Sequence, residues 1–411
     1  MKISGIQADV VRVPFDADYW GRSAWKKDYV AQLPNRSAGI DTSYPLRWRM
    51  RHKWGEDIST IILRVTTDDG VVGFGESKGP IAPHAVKAYI DDYLADWLIG
   101  EDPFNVRVIW DRLRASMRGR GHIQGLHQEA SAGLDIACWD IIGKAVGRPV
   151  SELLGGRYRN EIPVYYSGIA GVRDPNDAAD RERLFRDASG IVPSGHRSVK
   201  IACGFGHKAD LASVDIVRQA LGDDTLILID VLGAYDYTQA LSLANSLAQR
   251  GVTWFETPLP TDDFGGYVEL SKRSPILIAT DLVWTMALTR EMLSAGGRMV
   301  FIPESIKVGI SECYDIARLA DQFGCGFAPH CSVGSALQIA ANSHVSAAAP
   351  NFVISEVWHN RNPLIDSLFD GLPTIEDGTI RVSDSPGLGL TLNEDVFNTL
   401  VDDVTAHPQR P

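Results

Sequence analysis

The 411-residue sequence lacks several features that would assign it to a particular class of protein. No apolar run approaches the roughly 18 residues that a membrane helix needs. The N-terminus, MKISGIQADVVRVPF, alternates like a strand and lacks the charged-then-apolar layout of a signal peptide. The five cysteines are scattered without a CxxC pair, so neither a disulfide framework nor a structural zinc site is indicated. A cytoplasmic protein without a membrane partner is therefore expected.

Positive charge is also scarce. The chain has 40 basic and 52 acidic residues, a formal net charge of −12, so a nucleic-acid partner is not expected. One basic run stands out, RWRMRHK at residues 47–53. It is either a solvated loop or a surface whose interleaved aromatic side chains stack bases. A loop that recognises a small anionic ligand fits the acidic balance better.

The first part of the sequence predicts an α+β domain. Residues 2–14 alternate, and two extended runs at 59–66 and 71–76 flank Asp69-Gly70, which predicts a hairpin. Helical spacing follows over 83–120. Residues 15–57 have no clear period, and loops of that length in a compact domain are usually functional or disordered.

From residue 129 the pattern becomes repetitive. A helix is predicted over 129–145, and after it eight apolar strands alternate with helical segments. The predicted strands are 162–167, 198–201, 225–229, 253–255, 276–279, 299–302, 326–328 and 352–354. Eight such units predict an α/β fold with a parallel (β/α)₈ barrel. The predicted domains are an N-terminal α+β domain (1–128), the barrel (129–372) and a C-terminal segment (373–411) that packs back on the first domain.

An ionisable residue follows seven of these strands. The seven residues are Lys200, Asp230, Glu256, Asp281, Glu304, His330 and Glu356. A single one would be interpreted as a helix cap or a solvated charge, but caps favour Ser, Thr, Asp and Asn over Lys, Glu and His. In a barrel these positions converge on the rim that carries active sites.

Three consecutive strands end in carboxylates, Asp230, Glu256 and Asp281, which predicts an all-oxygen metal site. Hard cations such as Mg²⁺ prefer such ligands and leave positions open for water or substrate oxygens. Zinc would prefer histidine or thiolate, and no HxH or HExxH motif is present. No phosphate-cradling glycine loop with an adjacent Lys-Ser/Thr is present either, so nucleotide-dependent phosphoryl transfer is disfavoured.

Glu304 and His330, on neighbouring strands across the barrel, form a candidate carboxylate–imidazole pair. The carboxylate would fix the tautomer of the ring and raise its basicity, although a purely structural hydrogen bond is the alternative. Lys200 lies on the other side, beside the proposed metal, which predicts a lowered pKa if the side chain is partly buried. It is either a base or a cation that contacts a substrate carboxylate.

At this point the sequence resembles the enolase superfamily, specifically its mandelate racemase-like members. The resemblance rests on SAGLDIACWDIIGKAVGRPVSELLGG (131–156), SVKIACG, LILID, TWFETPLP, IPESIKVGISE, APHC and PGLGL. It implies a capping domain over a modified barrel, one Mg²⁺ per chain and symmetric homo-oligomers. It also implies removal of the proton alpha to a carboxylate, with an enediolate that the metal stabilises.

The resemblance assigns the long 15–57 stretch to loops that close on a small carboxylate substrate. Trp20, Arg49, Arg51 and His52 are then candidate substrate contacts, and Glu356 is grouped with them. Four positions depart from the usual pattern of these proteins. The usual Lys-x-Lys is Lys200-Ile201-Ala202 in this sequence, and the usual Asp-x-Asn is Asp230-Val231-Leu232. Asp281 stands where a Glu ligand is usual, and Glu304 stands where the partner of the histidine is usually Asp.

The missing second lysine discriminates among reactions. Racemisation needs a base on each face of the carbon, whereas Ala202 leaves His330 as the supported base, which favours dehydration of a sugar acid (aldonate or aldarate). A racemase or epimerase, a cycloisomerase, and a non-catalytic sugar-acid-binding barrel are the alternatives. His207 is either a displaced base on the lysine side or a solvated loop histidine.

Overall fold

The N-terminal sheet begins the chain. The computed structural model describes residues 1–14, 57–79, 82–191, 195, 197–281, 285–332, 334–358 and 362–402. Strands β1 (Ile3–Pro14), β2 (Asp57–Thr67) and β3 (Val72–Lys78) form an antiparallel sheet in the order β1-β2-β3. The predicted hairpin is confirmed, and Gly70 supplies the positive φ (87°) that its turn requires.

The predicted helical region 83–120 is interrupted. It contains α1 (Pro83–Tyr89), a π turn (Ile90–Leu94), 3₁₀ turns (Ala95–Trp97, Pro103–Asn105 and Arg118–Arg120) and α2 (Val106–Ser116). Gly100 has a φ of 85° and Pro103 follows it, so a single helix cannot continue through this stretch. The Asp102 side chain accepts from the Phe104 amide and starts the next turn.

Helix α3 (Leu126–Val146) is the predicted helix at 129–145, and it ends at Gly147 in the left-handed conformation. It is buried almost all round, because the N-terminal sheet covers one side and the barrel helices the other. Contact with β3 depends on glycine: a Cβ at Gly75 would lie 1.9 Å from the carbonyl oxygen of Gly133. Backbone therefore meets backbone where α3 crosses the sheet.

A parallel barrel with helices outside its strands follows. Its strands are β4 (Glu161–Ala170), β5 (Ser198–Ala202), β6 (Leu226–Asp230), β7 (Val252–Glu256), β8 (Leu277–Thr280), β9 (Val300–Phe301), β10 (Gly326–Phe327) and β11 (Ser355–Trp358). The helices from β4 to β11 are α5 (Ala178–Ser189), α6 (His207–Leu221), α7 (Tyr237–Ala248), α8 (Phe264–Arg273), α9 (Met286–Ser294), α10 (Ser305–Gln322) and α11 (Ala336–Ala348), and the short α4 (Val150–Leu153) precedes β4. The fold is a (β/α)₈ barrel with an N-terminal capping domain.

The eighth barrel strand differs from the prediction. Strand 352–354 was expected to end before Glu356, but the ladder to β4 runs over Ser355–Trp358, so Glu356 lies within the strand opposite Tyr165. Phe352 instead bridges Phe327 of β10, which closes the barrel. The apolar run at 352–354 pairs with one neighbour before the chain joins the other, and hydrophobicity does not show that change of partner.

The C-terminal segment adds small elements: α12 (Pro363–Asp366), β12 (Phe369–Asp370), β13 (Ile375–Glu376), β14 (Thr379–Arg381), β15 (Thr391–Leu392) and α13 (Glu394–Leu400). Strand β14 pairs antiparallel with the start of β4. Phe369 packs edge-on against Phe74 of β3, and Glu394 forms an ion pair with Arg64 of β2. None of the described helices is long and apolar enough to cross a membrane.

Candidate active site

The ionisable residues at the strand ends stand directly above an apolar layer inside the barrel. Side chains two residues apart share a face of a strand. The layer contains Leu228, Trp254, Ala279, Ile302, Ala328 and Ile354, each two residues before Asp230, Glu256, Asp281, Glu304, His330 and Glu356 respectively. These six ionisable side chains therefore share the inward side of the barrel, as their spacing in the sequence suggested.

Two buried carboxylates and one partly buried carboxylate occupy one part of this rim. Asp230 and Glu256 are register partners on β6 and β7, and Asp281 directly follows β8. Burial, together with repulsion from Asp281, raises the pKa of Asp230 to about 6 against the attraction of Lys200. Burial and the charge of Asp230 likewise raise the pKa of Glu256 well above its usual range. At Asp281 burial raises the pKa, but the charges of Lys307, His330 and Lys200 and the hydrogen bond from Thr257 together outweigh it, so the pKa is lowered.

Lys200 lies among these carboxylates. Its Nζ is 2.8 Å from Glu256 Oε1, 2.8 Å from Glu356 Oε1 and 4.0 Å from Asp230 Oδ2. Burial lowers the pKa of Lys200, but Glu256 and Glu356, with Tyr165 and Asp230, together raise it well above its usual range when no metal offsets these negative charges. The side chain is thus a cation among the carboxylates. The predicted lowering depends on the neighbouring metal and stays a prediction.

The donor set fits a hard divalent cation in its chemistry. Glu256 Oε2 is buried and has no hydrogen-bond partner, an unusual state for a carboxylate oxygen. It shares the rim with Asp230 and Asp281, so oxygen donors come from three successive strands. Across the described ranges, no three His, Cys, Asp or Glu side chains are already gathered closely enough to hold a metal.

Strained backbone follows two of the three carboxylates. Leu232 and Thr257 have φ values of 54° and 43°, in a left-handed region that side chains with a Cβ rarely adopt. The Leu232 amide donates to Asp230 Oδ1 at 2.9 Å, and the buried Thr257 hydroxyl donates to Asp281 Oδ1 at 3.1 Å. The tight turns thus direct hydrogen bonds onto Asp230 and Asp281, and no sequence pattern predicted the role of Thr257.

The structure brings the predicted pair Glu304 and His330 together. His330 Nδ1 lies 3.3 Å from Glu304 Oε2, and His330 Nε2 lies 3.4 Å from Glu356 Oε2. Glu304 is 1% exposed. Burial opposes its ionisation, but Lys78 and Lys307 hold the pKa of Glu304 well below its usual range. The carboxylate is therefore ionised beside the imidazole.

Lys78 and Lys307 are site residues that the strand-end pattern missed. Lys307 lies in the first turn of α10, three residues after Glu304, with its Nζ 3.0 Å from Glu304 Oε2. Lys78 ends β3 in the capping domain, and its Nζ lies 2.8 Å from Oε1 and 2.9 Å from Oε2 of Glu304. The sequence signal for Lys307 was its spacing from Glu304, whereas nothing local connects Lys78 with a residue 226 positions away.

The second strand presents an apolar surface where the second lysine is absent. Ala202 shares the face of β5 that carries Lys200 and pairs in register with Ala170 of β4. Ala170 packs with Phe205 and Ala209. His207 is part of the outer helix layer instead, where its Nε2 lies 3.2 Å from the hydroxyl of Ser246 on α7. This contact of His207 is with another helix and not with the rim carboxylates.

The predicted substrate contacts Trp20, Arg49, Arg51 and His52 lie outside the described residues. Glu356 lies inside them, 2% exposed, where its carboxylate accepts from the Cys331 amide at 3.0 Å and links Lys200 to His330. Lys200 and His330 hold the pKa of Glu356 below its usual range despite burial. Glu356 thus connects Lys200 and its carboxylates with the pair Glu304 and His330.

Comparison with known proteins gives consistent matches over almost the whole chain. Residues 46–155 match the mandelate racemase / muconate lactonizing enzyme N-terminal domain, and residues 183–396 match the enolase C-terminal domain-like family. D-galactarolactone cycloisomerase from Agrobacterium fabrum is 34% identical over 82% of this chain and 90% of its own. Arabinonate dehydratase from Saccharolobus solfataricus is 31% identical over 82% and 89%. A crystal structure of an enolase superfamily member from Agrobacterium tumefaciens superposes with a TM-score of 0.83 at 27% identity, covering 98% of this chain and 99% of that one.

Proposed function

We propose that this chain, which belongs to the enolase superfamily and within it to the mandelate racemase and muconate lactonizing enzyme family, dehydrates a sugar acid. The substrate class is an aldonate or aldarate, and the product is a 2-keto-3-deoxy acid. The observation that carries the proposal is the one-sided rim: His330 with Glu304 on one side, and Ala202 beside Ala170 where a second base would stand.

His330 is proposed as the base. Its imidazole takes the proton from the carbon next to the substrate carboxylate, and Glu304 stabilises the imidazolium that forms. A divalent cation held by Asp230, Glu256 and Asp281 would supply charge stabilisation for the enediolate. His330 then returns the proton to the departing β-hydroxyl, which leaves as water, and the resulting enol tautomerises to the keto acid. One histidine thus serves first as base and then as acid.

Lys200 and Glu356 are proposed to position the substrate. Because Lys200 keeps its proton, its ammonium offsets the charge of a substrate carboxylate at the rim. Glu356 orders Lys200 and His330 with respect to each other through contacts of 2.8 and 3.4 Å. Neither residue needs to exchange a proton for the reaction to balance.

Cycloisomerisation is the second candidate, because the same rim supports it. Removal of an α-proton by His330 followed by departure of a β-oxygen requires one base, whether that oxygen leaves as water or, when a lactone ring opens, becomes part of a carboxylate that stays attached through the carbon chain. A relative named D-galactarolactone cycloisomerase supports this reading at 34% identity, and one named arabinonate dehydratase supports the first at 31%. Both names point to sugar-acid chemistry.

The test is a sugar-acid library incubated with the protein and Mg²⁺ in D₂O. Keto-acid formation is expected for at least one acid, and His330→Asn should lower both keto-acid formation and α-proton exchange by at least about 100-fold, the range expected for loss of a general base. His207→Asn is the matched control and should keep activity near the wild-type level. Epimer formation without keto acid would contradict the proposal, and keto acid that forms only from lactones, without loss of water, would favour the cycloisomerase.

A further inference from the structure

Strand β3 directs two buried charged side chains from the capping domain onto the barrel. Glu76 and Lys78 are two residues apart and so share a face of the strand. Glu76 accepts from the Ser335 amide at 2.9 and 3.1 Å and from its hydroxyl at 2.7 Å, just before α11 begins. This contact fixes the end of β3 against the barrel and defines where Lys78 lies.

Lys78 has a fixed partner. It is 4% exposed, and its Nζ contacts both oxygens of Glu304 at 2.8 and 2.9 Å. Burial lowers the pKa of Lys78 while Glu304 raises it, so the ammonium and the carboxylate support each other's charge. An ion pair of this kind differs from a mobile surface pair, because both partners have lost their contact with water.

His330 shares Glu304 with several donors. The amide and hydroxyl of Ser332 and the Nε2 of Gln338 also donate to Glu304 Oε1, and Lys307 contacts Oε2. A carboxylate raises the basicity of a neighbouring imidazole through its negative charge. When buried cations offset that charge, the imidazole gains less from it.

We infer that Lys78 is a positioning residue, which holds Glu304 against His330 and offsets part of its charge, so that the capping domain sets the pH range in which His330 accepts a proton. The importance of this for catalysis rests on the proposed function. The effect on the titration of His330 does not.

The other charged groups around this pair come from several elements. They are Lys307 on α10, Lys200 on β5, Glu129 on α3, Asp281 after β8, Glu356 on β11 and Asp230 on β6. Of the two cations in this set, Lys307 is the one that contacts Glu304, so Lys78 supplies one of the two ammonium groups on this carboxylate among the described residues. Its removal therefore changes the electrostatics of the pair substantially.

The test compares Lys78→Met with Lys144→Met. Lys144 is a second capping-side lysine bound to a buried carboxylate, 2.6 Å from Asp140, remote from the rim. The imidazole resonances are followed by NMR against pH, and that of His330 is identified by its loss in His330→Asn. In Lys78→Met the titration midpoint of His330 should rise by about one pH unit, because loss of a neighbouring cation favours the protonated ring. Lys144→Met should leave it unchanged.

Equal midpoints in Lys78→Met and Lys144→Met would overturn the inference, whatever the enzyme activity. If keto acid forms as proposed, the acid limb of its pH–rate profile should move with the midpoint. If no keto acid forms in the wild type while the midpoint still moves, the proposed function fails and the inference stands.

A second comparison separates action through Glu304 from direct action on His330, and Lys78→Gln, which keeps a hydrogen-bond donor without the charge, replaces Lys78→Met in both comparisons if that variant does not fold. Glu304→Gln is titrated with and without Lys78→Met, a double-mutant cycle in which neither protein retains the Glu304 carboxylate. Lys78→Met should then move the midpoint by less than about a third of the shift seen in the wild-type background. A full shift would mean that Lys78 acts without Glu304 and would overturn the positioning role.

Discussion

Thr257 combines an unfavourable backbone conformation with a hydrogen bond to a proposed metal ligand. A β-branched residue in the left-handed region costs roughly 1–2 kcal/mol, and such strain persists where the surrounding structure holds it in place. Here the neighbouring strands do so, because the Thr257 amide donates to Ala279 and its carbonyl accepts from Gly233. The hydroxyl is thereby held 3.1 Å from Asp281, whose short side chain has one methylene fewer than glutamate to reach a cation.

Thr257→Val keeps the shape and removes that hydroxyl. We expect Mg²⁺ affinity to fall about 10–100-fold, the usual cost of removing a group that orients a ligand. Thr289→Val is the matched control, since Thr289 is also buried and donates a hydrogen bond, to the Thr285 carbonyl on α9. Both variants should lose about 1 kcal/mol of unfolding free energy without metal. Calorimetric titration of both variants with Mg²⁺ measures the two affinities, and equal affinities would contradict a role for Thr257 at the metal.

At single residues, the sequence predicted what repeats in phase with the strands and missed what depends on distant contacts. The strand-end spacing located Asp230, Glu256 and His330, because parallel strands bring their ends together. It did not give the balance between burial and two carboxylates that sets the pKa of Lys200 without a metal, because that balance requires distances. Lys78 was missed for a related reason: its partner is remote in the chain.

At the scale of elements, the start of α10 joins the barrel rim to α3. Gly309 interrupts the helix with a φ of 75°, and a side chain there would meet Asp135 of α3. Asp135 accepts from the Ser311 amide at 2.9 Å and from its hydroxyl at 2.6 Å. Burial, opposed by these bonds, raises the pKa of Asp135 from 3.8 to about 7.

This shift predicts a pH-dependent contribution to stability. Between about pH 4 and 7 the folded state retains a proton on Asp135 that the unfolded state has released, so this contribution is full at low pH and is lost as the pH rises through 7. The loss amounts to at most roughly 4 kcal/mol. Asp135→Asn lacks this pH-dependent contribution. The unfolding free energy of the variant minus that of the wild type should therefore rise between about pH 4 and 7. Urea unfolding at several pH values measures the difference, and a constant difference would refute the assignment.

Elements with one dominant pattern were predicted from sequence, and elements with competing signals were not. The hairpin, α3 and the first seven barrel strands lie where their periods placed them. The eighth strand was displaced, because an apolar run does not show which neighbour it pairs with. Helical spacing over 83–120 concealed a break, because periodicity continued through Gly100 while the backbone could not.

For the molecule as a whole, the site carries more negative than positive charge among the described side chains. With every group ionised, as metal binding requires of its ligands, six buried or nearly buried carboxylates and three ammonium groups leave three negative charges. The carboxylates are Glu129, Asp230, Glu256, Asp281, Glu304 and Glu356, and the ammonium groups are Lys78, Lys200 and Lys307. A divalent cation would offset two of these charges and so favour the folded state.

Mg²⁺ is therefore expected to stabilise the protein, by about 2.7 kcal/mol at a concentration 100 times its dissociation constant. Thermal unfolding with and without Mg²⁺ measures this. Glu256→Gln should remove most of the stabilisation, because it replaces the carboxylate that has an unpartnered oxygen. Asp215→Asn, which alters an exposed ion pair with Arg250 on the outer surface, should retain it. A Tm that is unchanged by Mg²⁺ in the wild type would argue against the metal site.

Helix α3 packs against both the capping domain and the barrel. It is covered by the N-terminal sheet on one side and by α10 on the other, and at Gly75 and Gly133 the first contact allows no side chain at all. A chimera that joins this capping sheet to a different barrel at residue 128 would leave the sheet without the helix it was shaped to fit. A folded chimera between relatives should therefore exchange β1 to β3 together with α3, so that the exchanged segment extends across the boundary between the two domains.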